Sequence, residues 1–160
     1  MNTDMALRKH LVDLLDGGHA HIPLLEAIDA IPAELRGKRV PAVPYTAWQI
    51  LEHLRIAQWD ILEFSRNASH VSPEWPAGYW PRSDGPQGDK EWDASVGAFT
   101  KDLEAMRALV SNPSTDLYAR IPHGTGQTIL REALLVADHN AYHIGQLVLL
   151  RRLIGAWTTP

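Results

Sequence analysis

No cysteine occurs in the 160-residue chain. That excludes a disulfide framework, a thiolate metal site and a cysteine nucleophile. It is compatible with a reducing compartment, and a cytoplasmic protein is expected. Long apolar runs are missing too. The early charges Asp4, Arg8 and Lys9 precede nothing apolar enough for a signal peptide or a membrane span, so neither is expected. Charge of one sign is scarce as well: 15 basic against 19 acidic side chains give a net charge of -4, with the lysines and arginines scattered. Such a chain has no electrostatic footprint for nucleic acid, and its acidic balance serves solubility.

What the chain has in excess is histidine, with eight, and tryptophan, with six. Three of the tryptophans, Trp75, Trp80 and Trp92, fall in or beside one Pro/Gly-rich stretch. An apolar fraction of 45% supports an ordinary core, and the length fits a single domain, residues 1–160.

The hydrophobic spacing predicts an all-α chain of four helices. The first covers about Asp4 to Ile28, where Leu7, Leu11, Leu14, His21, Leu25 and Ile28 recur at helical spacing; Gly17-Gly18 and Pro23 predict a bend or break inside it. A Pro/Gly-rich connector, Ile31 to Pro44, precedes Thr46. Thr46 and Gln49 match a capping box that starts a second helix running to about Arg66. Its apolar arc is Ile50, Leu51, Leu54, Ala57, Ile61, Leu62 and Phe64. From Asn67 to Gly88, prolines and glycines forbid regular structure. The third helix starts near Asp89 and ends before Asn112-Pro113; the fourth covers roughly Thr128 to Leu153. A short extended piece around Leu117 to Ile121 is the one rival to helix.

His139 and His143 are four apart on the fourth helix, which stacks their imidazoles on one face. That is the geometry of a two-histidine metal clamp, although two surface or capped histidines have the same spacing. Glu132, Leu135, Val136, Gln146, Leu147 and Leu150 share their side of the helix. This side is largely apolar and should face the interior, where two unpartnered imidazoles would be costly and a metal would satisfy both. The third ligand should come from another helix. His53, at the border of the second helix's apolar arc, is the candidate, although alone it reads as a partly buried histidine. Three histidines leave positions for water or substrate, and imidazole suits zinc, nickel, iron or copper. One divalent ion per chain is expected, with Zn, Ni or Fe foremost. Asp60, Glu132, Asp138 and Gln146 are candidates to orient the rings.

The string Tyr45-Thr46-Ala47-Trp48-Gln49-Ile50-Leu51-Glu52-His53-Leu54 resembles the second-helix motif of the DinB/YfiT superfamily. Asp138-His139-Asn140-Ala141-Tyr142-His143-Ile144-Gly145-Gln146-Leu147 resembles that family's last helix, and Trp75-Pro76-Ala77-Gly78-Tyr79-Trp80-Pro81 resembles a loop of one branch. The resemblance spans nearly the whole chain. It implies a metal-binding four-helix bundle with a histidine triad, complete here, and a long crossover between the second and third helices, where this chain has its long loop. Family members of known activity include thiol-dependent S-transferases and a mycothiol-dependent isomerase.

Trp75, Tyr79 and Trp80 have two readings: a lid over the open metal positions, walling in a substrate, or a cover for the end of the bundle. His21 could approach the metal and His123 could line the site; His10 and His19 read as solvated. A second apolar stripe on the fourth helix, Leu130, Leu134, Ala137, Ala141 and Val148, either packs on neighbouring helices or forms a homodimer contact. Two functions remain open. One is a metal-dependent enzyme in which the ion activates a low-molecular-weight thiol for S-transfer to a small apolar electrophile, or activates water for hydrolysis. The other is a non-catalytic metal or small-ligand binding module, with a link to stress as one role. No catalytic residue beyond the ligands is identifiable.

Overall fold

Two glycines decide where the first helix stops. Gly17 and Gly18 take φ angles of 67° and 82°, left-handed conformations that cost a β-carbon-bearing residue energy and cost glycine little. In the computed structural model, which describes residues 2–41 and 43–157, α1 (Thr3–Asp16) therefore ends at Gly17, and a separate short α2 (Leu24–Ile28) follows Pro23. The expected 4–28 helix is thus two helices. The break changes which side chains face inward. Leu11, Leu15, Leu24 and Ile28 are buried, but Leu14 and Leu25 are exposed and His21 lies in the turn.

Three long helices follow: α3 (Ala47–Arg66), α4 (Asp89–Ser111) and α5 (Ile129–Ile154). Each start and stop has a local cause. Thr46 and Gln49 form the reciprocal capping box at α3. Thr128 accepts from the Arg131 amide at α5, and Gly155, with φ 78°, ends that helix in a left-handed turn. The extended piece around residues 117–121 contributes only an isolated antiparallel bridge between Arg120 and Thr128, and the described residues form no strand. None of the described helices is long and apolar enough to cross a membrane.

The result is an all-α bundle. α3 packs on α4 and α5, α1 packs on the other flanks of α4 and α5, and α2 closes against α5. α3 and α4 run in the same direction. Trp48 meets Trp92, Ser95 donates to Glu52, and Gln58 donates to the Phe99 carbonyl, so partners advance together along both helices. α5 runs against α3, with His53 beside His143 and Gln58 bonded to Asn140. The segment 67–88 must then return to the end where α3 began. There it is fastened. Thr46 Oγ1 donates to the Asp84 carbonyl at 2.6 Å, Trp48 Nε1 donates to Ser83 at 3.1 Å, and Arg39 pairs with Asp84. A β-carbon on Gly37 would stand 2.9 Å from the Gly85 Cα, so the two backbones meet only because both residues are glycine.

Ile50, Leu51, Leu54 and Leu62 of α3 and Leu147 and Leu150 of α5 are wholly buried in the core. Each contributes about 1.5–3 kcal/mol relative to an exposed side chain. Two arginines finish the helix ends. Arg151 is buried and donates to the carbonyls of Glu26, Ala27, Asp29 and Ala156; Arg8 donates to those of Val110, Asn112 and Thr115. They satisfy carbonyls that the ends of α2 and α4 leave without helical partners. Of the second apolar stripe of α5, Ala137 is buried and Leu130 and Val148 pack at the core's edge, while Ala141 is half-buried and Leu134 exposed.

Candidate metal centre

His53 projects from α3, and His139 and His143 from α5. One potential ligand atom from each lies within 4.8 Å of the other two. Ring centroids are 4.9 Å (His53–His139), 4.6 Å (His53–His143) and 4.5 Å (His139–His143) apart, with the rings inclined 60–80° to one another. Edge-on rings of this kind aim nitrogen lone pairs at a common point instead of stacking. His53 and His143 are buried and His139 is half-buried.

The hydrogen bonds around the rings fix which nitrogen faces the centre. His53 Nδ1–H donates to the Tyr79 carbonyl at 2.9 Å, and His143 Nδ1–H donates to Gln146 Oε1 at 2.7 Å. Each neutral ring then carries its lone pair on Nε2. His53 Nε2 is 3.1 Å from His139 Nε2. In a tetrahedral shell with metal–nitrogen bonds of about 2.0–2.1 Å, ligand nitrogens stand roughly 3.3 Å apart. His139 Nδ1 is buried without a partner, so this ring alone lacks an outer hydrogen bond to orient it.

Electrostatics favours the neutral form of all three. Burial pushes the His139 imidazolium down to about 3, helped by the neighbouring His143 and His53. Burial also lowers His53, outweighing the Tyr79 carbonyl that stabilises its charged form, and lowers His143 against the opposing effect of Gln146. Neutral imidazole is the form that binds a cation. With the Nδ1 protons of His53 and His143 committed outward, the one proton of His139 is all that the inward nitrogens share, so the cluster cannot satisfy both remaining lone pairs by itself. The donor set fits a divalent ion of the zinc, nickel or iron kind.

The aromatic segment is divided. Trp80 lies flat on His53, with centroids 3.9 Å apart and planes at 3°, and Tyr45 stacks on its other face at 4.1 Å. Trp80 is also 6.2 Å from His143. Tyr79 reaches His53 by its backbone, while its hydroxyl donates to Asp60 at 2.6 Å. Trp75 touches Tyr79 edge-on at 5.3 Å but is 74% exposed.

Of the four residues expected to orient the rings, Gln146 does so directly. Asp60 acts at one remove, holding Tyr79 and also His70 Nε2 at 2.7 Å. Glu132 is buried and pairs with Arg131, and Asp138 is exposed. Neither His21 nor His123 joins the triad. His21 bonds the Ile22 carbonyl at the α1–α2 turn, and His123 bonds the Phe64 carbonyl at the far end of α3. Sequence reasoning gave no role to His70, Tyr45 or Tyr142, whose ring meets His143 edge-on at 4.9 Å. Tyr142 precedes a ligand and Tyr45 precedes the helix cap, but neither position signals such a contact. His70 lay in a segment without periodicity.

A helical bundle that brings three neutral histidines together from two antiparallel helices defines a bundle protein with a candidate metal centre. Residues 6–147 match the DinB superfamily, and the chain belongs to it. No curated protein and no solved structure matches the chain.

Proposed function

We propose that the protein is a metal-dependent enzyme of the thiol S-transfer type, with a low-molecular-weight thiol as cosubstrate and a small apolar electrophile as acceptor. The observation that carries this reading is the convergence of three neutral imidazoles beside a flat aromatic wall. His53, His139 and His143 would hold one divalent ion. Such an ion lowers the pKa of a bound thiol or water, so that a nucleophile exists at neutral pH. The protein's own part is positional. Tyr79 and Gln146 keep the Nε2 atoms of His53 and His143 aimed inward. Trp80, braced by Tyr45, offers an apolar face next to the ligands and excludes water from that side of His53. Tyr142, exposed and edge-on to His143, borders the solvent approach.

Hydrolysis is the second reaction the same centre supports, because water can take the thiol's place. The binding-module reading draws on the burial of His53 and His143 and on the close cover that Trp80 gives His53. One experiment separates them. The purified protein is assayed for metal by elemental analysis. Thiol conjugation of apolar electrophiles is then followed with the metal-loaded protein, the chelated protein and Trp80→Ala. Transfer that needs both metal and thiol, and whose KM rises in Trp80→Ala while metal content holds, supports the enzyme. Stoichiometric metal with neither transfer nor hydrolysis supports the module.

A further inference from the structure

An all-α bundle leaves each long helix one outward face, which is ordinarily polar. On α5 that face is apolar. Leu134, Tyr142, Leu149 and Leu153 are all exposed there, Tyr142 by 64% and Leu149 by 56%. They fall on one arc of roughly 100°, beside the arc that carries His139 and His143. Leu14 of α1 is exposed next to Leu134 and continues the apolar surface. Single exposed leucines are ordinary, but a run of large apolar side chains along one helix marks a contact surface.

Gly145 lies in the middle of this face. It is exposed, and a β-carbon there would meet nothing within 4 Å. Glycine inside a helix costs about 1 kcal/mol relative to alanine, and no neighbour within the chain calls for it. A bare backbone does let a second helix approach closely. Tyr142, Gly145, Leu149 and Arg152 follow at three- and four-residue steps, the spacing of a helix-pair seam, and Asp138 precedes Tyr142 by one turn.

Charge selects the occupant and its direction. Asp138 and Arg152 stand on opposite sides of Gly145, each ~10.5 Å from it along the helix. Both are exposed, and neither has an ion-pair partner among the described residues. A second α5 laid antiparallel about Gly145 sets Asp138 against the partner's Arg152, and symmetry repeats the pair. A parallel pairing would set like charge against like.

We propose that the outward face of α5 is a self-association surface, on which a second copy of this chain packs antiparallel about Gly145, with Asp138 of each copy paired to the partner's Arg152. Tyr142 then packs on the partner's Leu149. Tyr142 also meets the His143 ring edge-on at 4.9 Å, so each copy helps to wall the approach to the other's triad. The surface itself does not rest on the metal reading. One helix pair is a small interface, so association is expected at micromolar concentrations.

The test is sedimentation of the full-length protein from micromolar to hundreds of micromolar concentration, where a reversible dimer is expected. Leu149→Asp and Gly145→Leu, both at exposed positions, should each weaken it about ten-fold or more, with helix content by circular dichroism unchanged. Asp138→Arg and Arg152→Asp should each weaken it too. The double variant, which restores opposite charges with the signs exchanged, should associate more tightly than either single one. A chain that is monomeric at every concentration leaves this face to another occupant and overturns the proposal. A dimer that Leu149→Asp does not weaken lies on another face, and a double variant no tighter than the singles removes the antiparallel register; either result overturns it as well. Should Gly145→Leu fail to fold, Leu149→Asp and the charge exchange decide.

Discussion

The two faces of α5 are built from opposite materials. One face carries His139 and His143 toward α3, where every ring has an imidazole neighbour and two rings are oriented by outer hydrogen bonds. The other face, with Ala137, Ala141 and Ile144, looks across a largely apolar cavity toward α4 and the α1–α2 turn. Gln58 and Asn140, bonded to each other in the interior, form part of the boundary between them. The difference shows what each face can discriminate. A set of neutral nitrogens selects by charge and geometry, so removing one ligand should be felt steeply. An apolar wall selects by shape and volume, so removing one side chain should weaken packing and leave the chemistry across the helix untouched.

Breaking the polar face should give the largest effect. His53→Ala, His139→Ala and His143→Ala should each weaken metal binding by more than the 10–100-fold that loss of an outer partner typically costs. Titration of the chelated variants with zinc reads this directly, and undiminished affinity in two of them would end the triad assignment. On the apolar face, Ile144→Ala should destabilise the fold by about 2–5 kcal/mol with metal stoichiometry unchanged. Denaturant unfolding and elemental analysis on one sample compare the two faces.

The pH dependence of the chelated protein sharpens the contrast. Burial holds the triad's folded-state pKa values below the ordinary histidine value of 6.5, with His139 down at about 3. The unfolded chain therefore takes up protons first as pH falls. Stability should be full above about pH 6.5 and decline from there toward pH 3, at no more than about 1.4 kcal/mol per pH unit for each such histidine. Thermal unfolding across that range should show the decline, and His139→Gln should flatten it. The smallest effect belongs to Trp75, three-quarters exposed and in contact with Tyr79. Trp75→Ala should stay within about 0.5 kcal/mol in stability and leave metal content and substrate KM unchanged. A KM shift as large as that of Trp80→Ala would show that the segment acts as one unit.

The helices and the ligand pair were legible because their signals are local. The Thr46 capping box, the Gly17-Gly18 break and the four-residue spacing of His139 and His143 each depend on residues within one or two turns. The same locality explains the misreadings. Leu14, His21 and Leu25 fit a helical stripe, but two left-handed glycines between them reset the register and turned those side chains out of the core. Asp60 looked like a partner for a ring because it shares an edge of α3 with His53. Its actual partners, Tyr79 and His70, come from a segment with no period to read.

By itself, then, the sequence determined an all-α chain, where its helices begin, and the pairing of two histidines on one helix face, since backbone sterics and capping act over a few residues. Only the tertiary structure decided that Trp80 rather than Trp75 covers His53, that the Tyr79 carbonyl orients that ring, and that Asn140 keeps a buried oxygen without a donor. Each of those depends on groups distant in sequence meeting within a few ångströms. Which groups meet is settled by the packing of whole helices and by the return path of residues 67–88, which no local pattern records.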